Sequence, residues 1–196
     1  MSLHFGFDLD NTIINYDLSA EEYSKLIRVP EQKSINSLRN YLLTKHGENY
    51  WTEAQSWIYT AGLANAVISW KALEVIEKLF VGNHKVSIIS HKTKFGPIQY
   101  GSAPFRSEAI KWIRNSKLIE YFPNLDNVHF ADSIEEKIYL IRISELTHYV
   151  DDLLKIFLMD DYPRHNLKSF LFRPLAKTPE WLIPLDSFES LIDQIP

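Results

Sequence analysis

Phe5-Gly6-Phe7-Asp8-Leu9-Asp10-Asn11-Thr12-Ile13-Ile14 is the stretch on which the reading of this chain turns. An apolar, aromatic run leads up to Asp8, as in a short buried strand. Two acids one residue apart follow, and then Asn11 and Thr12, residues that favour leaving a strand for a turn. In extended backbone, residues i and i+2 project to the same side, so Asp8 and Asp10 can face one target. At an effective dielectric of ~20, two such charges ~4 Å apart repel by roughly 4 kcal/mol. The pair therefore calls for a bound divalent cation, a retained proton, or both.

Working outward, five strands in all punctuate the 196 residues. Leu3–Phe7 reads as the first buried strand, Lys85–Ile89 as the next, then Val128–Ala131, Thr147–Val150 and Ser169–Phe172. Helical spacing separates them: Val67, Trp70, Leu73, Ile76 and Phe80 up to Gly82, then about 107–118, a helix opened by Ser133 with Glu136, a short one at 153–159, and a terminal one at 187–195. Strands alternating with helices predict an α/β fold, a Rossmann-like three-layer sandwich with a mainly parallel sheet. In such sheets ligands sit beyond the carboxyl ends of the strands, near a switch in strand order. Asp8 and Asp10, Ser90, and Asp151 with Asp152 all fall at predicted strand ends.

Between the first two strands lie two helical patterns without strand signals. Ser34 reads as an N-cap, with Ile35, Leu38 and Leu42 on one face and Gly47 as the stop, and Thr52 as the cap of a helix over 53–63. The predicted organisation is a core of residues 1–14 and 65–196 and a small helical insertion, 15–64, placed after the first strand. Its aromatic residues Tyr50, Trp51, Trp57 and Tyr59 lie at spacings that favour packing over ligand stacking.

Composition excludes several classes. There is no cysteine, so disulfides, thiolate metal sites and a cysteine nucleophile are ruled out. A net charge of -4 with no long Lys/Arg run gives no nucleic-acid footprint. No apolar run reaches the ~18 residues of a membrane span. No secretory signal is apparent, and a cytoplasmic location is the expectation.

The FDLDNT sequence resembles the first motif, DxDxT, of the haloacid-dehalogenase-like (HAD) superfamily of phosphotransferases. The resemblance extends in order along the chain: Ser90 as the hydroxyl ending an apolar strand, Lys137 early in a helix before the fourth strand, and Asp151-Asp152 as the acid pair ending that strand. Val150 stands where many members have glycine. What the resemblance implies is a Mg²⁺-dependent phosphatase acting on a small phosphorylated metabolite, a phosphosugar or nucleotide-like compound, through an aspartyl-phosphate. Asp8 would be the nucleophile and a metal ligand. Asp10 would be the acid and base, with its backbone carbonyl on the metal. Ser90 would bind a phosphoryl oxygen, Lys137 would balance the charge, Asp151 would bind the metal, and Asp152 would bind it directly or through water. A phosphotransferase or phosphomutase, or a non-catalytic module binding a phosphorylated ligand, are the alternatives.

Basic groups after Ser90 suggest further substrate contacts. His91 and Lys92 are the candidates closest to the motif, with Lys94 and Arg106 further along.

Overall fold

The structure, a computed structural model, describes residues 2–175, 177–192, 194 and 195. In chain order the elements are β1 His4–Phe7, β2 Ile14–Asn15, α1 Asp17–Leu26, α2 Ile35–Lys45, α3 Glu48–Ile58, β3 Val67–Ile68, α4 Ala72–Val81, β4 Lys85–His91, α5 Phe105–Asn115, β5 Val128–Ala131, α6 Ile134–Ile143, β6 His148–Asp151, α7 Leu154–Phe157, β7 Lys168–Phe172, β8 Ile183–Leu185 and α8 Phe188–Ile192. Of the terminal helix predicted over 187–195, residue 193 lies outside the described residues.

Six strands form one sheet in the order β5-β4-β1-β6-β7-β8, and every neighbouring pair is parallel. β1 is interior, flanked by β4 and β6, and the chain builds outward first on one side of it and then on the other. That reversal is the switch point beyond which parallel α/β sheets hold ligands.

Alternation along the strands sorts the two faces of the sheet. Phe5 and Phe7 lie on one face with His148, Phe170 and Phe172. Phe5 stacks on His148 at 4.1 Å, and Phe188 of α8 covers Phe7 and Phe172 at 6.0 and 4.9 Å. Gly6 and Tyr149 pair on the other face. There Ile89, Tyr149 and Leu171 join Ile138 and Ile141 of α6 and Ile156 and Phe157 of α7 in an apolar core. Gly6 is required by this packing, because a Cβ there would stand 2.9 Å from Tyr149 Cδ2 and overlap the Leu146 side chain.

The chain divides into two compact units, one of residues 1–13, 68–92 and 117–196, the other of 14–67 and 93–116. The first holds the sheet and α4, α6, α7 and α8. The second holds α1, α2, α3 and α5. The loop and helix after Lys92 thus group with the helical insertion, whereas sequence spacing assigned them to the core. Within the second unit Ser34 caps α2 through a reciprocal pair with Ser37, at 3.1 and 3.2 Å, and Ile35, Leu38 and Leu42 are buried. Tyr23 packs on Trp57, and Tyr59 sits between Tyr16 and the edge of Phe105, so Trp57 and Tyr59 pack within their unit.

Local structure departs from the spacing-based reading in three places. Thr52 does not cap a helix: α3 starts at Glu48, after Gly47 turns the chain at φ +91°, and the Thr52 hydroxyl donates back to Glu48 O. Val67 and Trp70 precede α4, because Val67–Ile68 is extended and Lys71 adopts φ +66°. They are 46% and 75% exposed, while Val75, Ile76 and Leu79 carry the buried face. β8 and the β2–β3 ribbon, strands of two or three residues, were not anticipated.

Candidate active site

Asp8 follows directly on β1, and its N–H continues the ladder by donating to Val150 O of β6 at 2.8 Å. The next residues leave the sheet in a turn, with Asn11 at φ +60°, a left-handed conformation that asparagine tolerates. Asp151 ends β6, and Ser90 and His91 end β4 on the other side of β1. Three adjacent parallel strands therefore deliver these groups to one end of the sheet.

Lys137 comes to them from α6. Ser133 Oγ accepts the Glu136 N–H at 3.1 Å, and the Glu136 carboxylate accepts the Asp132 N–H at 2.6 Å, which fixes the first turn of the helix. One residue further, Lys137 is 0% exposed. Its ammonium donates to Asp8 Oδ1 at 2.5 Å and to Asp151 Oδ2 at 2.7 Å. A buried lysine held between two buried carboxylates is not the solvated helix-face residue that its neighbours Glu135 and Glu136 suggest.

Asp151 is held from three directions. Besides Lys137, Tyr149 donates from its phenol to Oδ2 at 2.9 Å and the Leu153 N–H donates to Oδ1 at 2.9 Å. Tyr149 was not singled out from sequence. The signal was its place two residues before Asp151 on one strand, which puts both on the same face.

Asp8, Asp151 and Asp152 each offer a carboxylate oxygen, all within 4.8 Å of one another. Such an all-oxygen set suits a hard divalent cation. Burial and neighbouring charges favour the protonated form of two of these carboxylates. Asp8 is pushed up to about 7, chiefly by burial and then by Asp151 and Asp10, against the opposing pull of Lys137. Burial and the charges of Asp151 and Asp8 push Asp152 well up. Burial pulls Lys137 down, yet Asp151 and Asp8 outweigh it and hold it above the ordinary lysine value.

Asp10 is not part of that trio. Its Oδ2 lies 2.8 Å from the ammonium of Lys92, which is 3% exposed. Lys92, expected at the substrate, is thus engaged by the second acid of the pair. His91 is partly buried, and burial followed by the charge of Lys137 lowers its pKa. Ser90 is fully buried, and its Oγ, together with Thr12 Oγ1 and Asn11 Oδ1, has no hydrogen-bond partner. Buried polar atoms are rarely left so, and the two hydroxyls are suited to donate to an oxygen-rich ligand. Lys94 and Arg106 belong to the second compact unit.

No protein-family model matches the sequence, and no curated protein matches it significantly. Solved structures do resemble the fold. A HAD-superfamily hydrolase of subfamily IA from Geobacter sulfurreducens superposes with a TM-score of 0.63 at 9% identity, covering 100% of this chain and 97% of that one. A HAD family hydrolase from Deinococcus radiodurans, solved with bound phosphate and sodium, gives 0.61 at 11% identity, with 97% and 93% covered. Protein Tyrosine Kinase A of Mycobacterium tuberculosis gives 0.66 at 11% identity, with 98% and 97% covered. The parallel six-stranded sheet of this chain, with its acids at the strand ends, has the fold of the haloacid-dehalogenase-like hydrolases.

Proposed function

We propose that the protein is a Mg²⁺-dependent phosphomonoester hydrolase acting on a small phosphorylated metabolite. The observation that carries this reading is the buried Lys137 ammonium joining Asp8 to Asp151 beside a third carboxylate, Asp152. A carboxylate can attack an anionic phosphate only where fixed cations offset the repulsion. Asp8, Asp151 and Asp152 would hold the metal, which would supply further positive charge to the phosphoryl group.

The residues divide the work as follows. Asp8 attacks phosphorus as the bond from phosphorus to the leaving oxygen breaks, and Asp10 gives that oxygen a proton. Asp10 then takes a proton from water as the water oxygen attacks phosphorus and the bond to Asp8 breaks, releasing inorganic phosphate. Lys137 favours the ionised form of Asp8 against the effect of burial and screens it from Asp151. Ser90, whose hydroxyl lacks a protein partner, hydrogen-bonds a phosphoryl oxygen, and His91 lies next to it in the chain.

The test is phosphate release from a panel of phosphosugars, nucleotides and phosphorylated organic acids with Mg²⁺. Turnover of at least one compound that disappears in Asp8→Asn is expected. An Asp8→Asn protein as active as the wild type would overturn the assignment of the nucleophile.

A further inference from the structure

We propose that Lys92 is the positioning residue for Asp10, and that it acts on the reaction through this carboxylate rather than by binding the substrate. The inference rests on the hydrolase reading above and adds to it a residue with a separable role.

Three observations carry it. Lys92 Nζ lies 2.8 Å from Asp10 Oδ2, and the two side chains are buried, so the pair is shielded from water. The backbone of Lys92 is fixed independently, since its N–H donates to Ala131 O at the end of β5 at 3.0 Å. Asp10, by contrast, leaves β1 in a turn and is not held in the trio formed by Asp8, Asp151 and Asp152. A cation anchored at the ends of β4 and β5 draws Asp10 away from that trio and toward one orientation. An acid acts on a leaving oxygen only from within hydrogen-bond reach, so a displaced Asp10 fails at proton transfer even when the rest of the site is intact.

The role makes a distinctive demand on the leaving group. An alkoxide must be protonated as it departs, whereas p-nitrophenolate departs readily without a proton. In kcat/KM, which covers only the steps up to departure of the leaving group, loss of positioning is therefore selective for alkyl esters, while loss of a phosphate-binding cation weakens all esters alike.

The experiment compares wild type, Lys92→Met, Asp10→Asn and the double variant on p-nitrophenyl phosphate and glycerol 2-phosphate, reading kcat and KM separately. In Lys92→Met, kcat/KM for glycerol 2-phosphate is expected to fall by about 100-fold, with a much smaller loss for the aryl ester. On both esters the double variant should match Asp10→Asn, because Lys92 has nothing to add once its partner cannot act. Lys92→Gln, which keeps a donor for the carboxylate, carries the same test of ester selectivity if the methionine variant does not fold. Equal losses on the two esters through a raised KM, or a double variant well below Asp10→Asn, would overturn the assignment and return Lys92 to the substrate. A wild-type protein releasing phosphate from no ester would overturn the hydrolase reading and this inference together, a result distinct from an active wild type with uniform losses.

Discussion

Lys137 Nζ and Asp8 Oδ1 lie 2.5 Å apart although 129 residues separate them in sequence, and the same ammonium reaches Asp151 at 2.7 Å. One buried cation thus ties the end of β1 to the end of β6 by way of α6. Replacing it with methionine keeps the length and removes the charge, leaving two buried carboxylates facing each other. Lys137→Met should lose about 3–5 kcal/mol of stability in urea unfolding, the usual cost of stranding a buried charge. Phosphatase activity should fall at least about 100-fold. A stable, active Lys137→Met protein would show that the cation is dispensable.

The carboxylate trio predicts how metal binding varies with pH. Asp8 is raised to about 7, so the metal-free fold holds a proton there that the unfolded chain, near the ordinary 3.8, has released. Its contribution to stability is present below 3.8 and is lost as pH rises through about 7. Mg²⁺ competes with that proton, so its stabilising effect should grow as pH rises through the same window. At a concentration 100 times its Kd, one ion adds about 2.7 kcal/mol. Thermal unfolding at pH 5 to 9, with Mg²⁺ or with EDTA, reads this directly. Asp8→Asn should lose the part of that pH dependence centred near 7, leaving only what Asp152 contributes. A Mg²⁺ effect of equal size at pH 5 and pH 9 in the wild type would contradict the trio as its site.

Gly6 supports the site from beneath. An added methyl group meets Tyr149 and Leu146, and Tyr149 is the residue whose phenol reaches Asp151. Gly6→Ala should cost about 1–3 kcal/mol through overpacking. Tyr149→Phe, which deletes the hydroxyl alone, should cost about 1.5–3 kcal/mol, because that hydroxyl donates to a buried carboxylate. Chemical denaturation of the two single variants and the double separates them. If Gly6→Ala already displaces the phenol, the double variant will cost less than the sum of the singles.

On the opposite face, His148 stacks between Phe5 and Phe170 and is lowered to about 4, by burial first and then by Lys168 and His84. A depressed histidine gives stability that is present above the unfolded value of 6.5 and lost as pH falls toward 4. His148→Phe retains a stacking ring and has no proton to gain. Its thermal midpoint should therefore fall less than that of the wild type between pH 6.5 and 4. Parallel curves for the two proteins would remove His148 from the acid response.

Some of this architecture is written in short-range order. The apolar runs before Asp8, Ser90 and Asp151 read as strands because buried parallel strands need little besides such runs. Ser34 and Ser133 announce their helices because a cap is made within one turn. Other features lack any such local signal. β8 is three residues with Pro184 at its centre, and it is a strand only because β7 lies beside it. Thr52 resembles a cap until Gly47 starts α3 a turn earlier. The sequence by itself determined which residue types stand at the ends of the strands, and their order. Only the tertiary structure decided that Lys92 meets Asp10, that Lys137 meets both Asp8 and Asp151, and that Tyr149 reaches up its own strand. The physical reason is that an ion pair's partner depends on which strands become neighbours, and strand order is set by packing of the whole sheet rather than by any one segment.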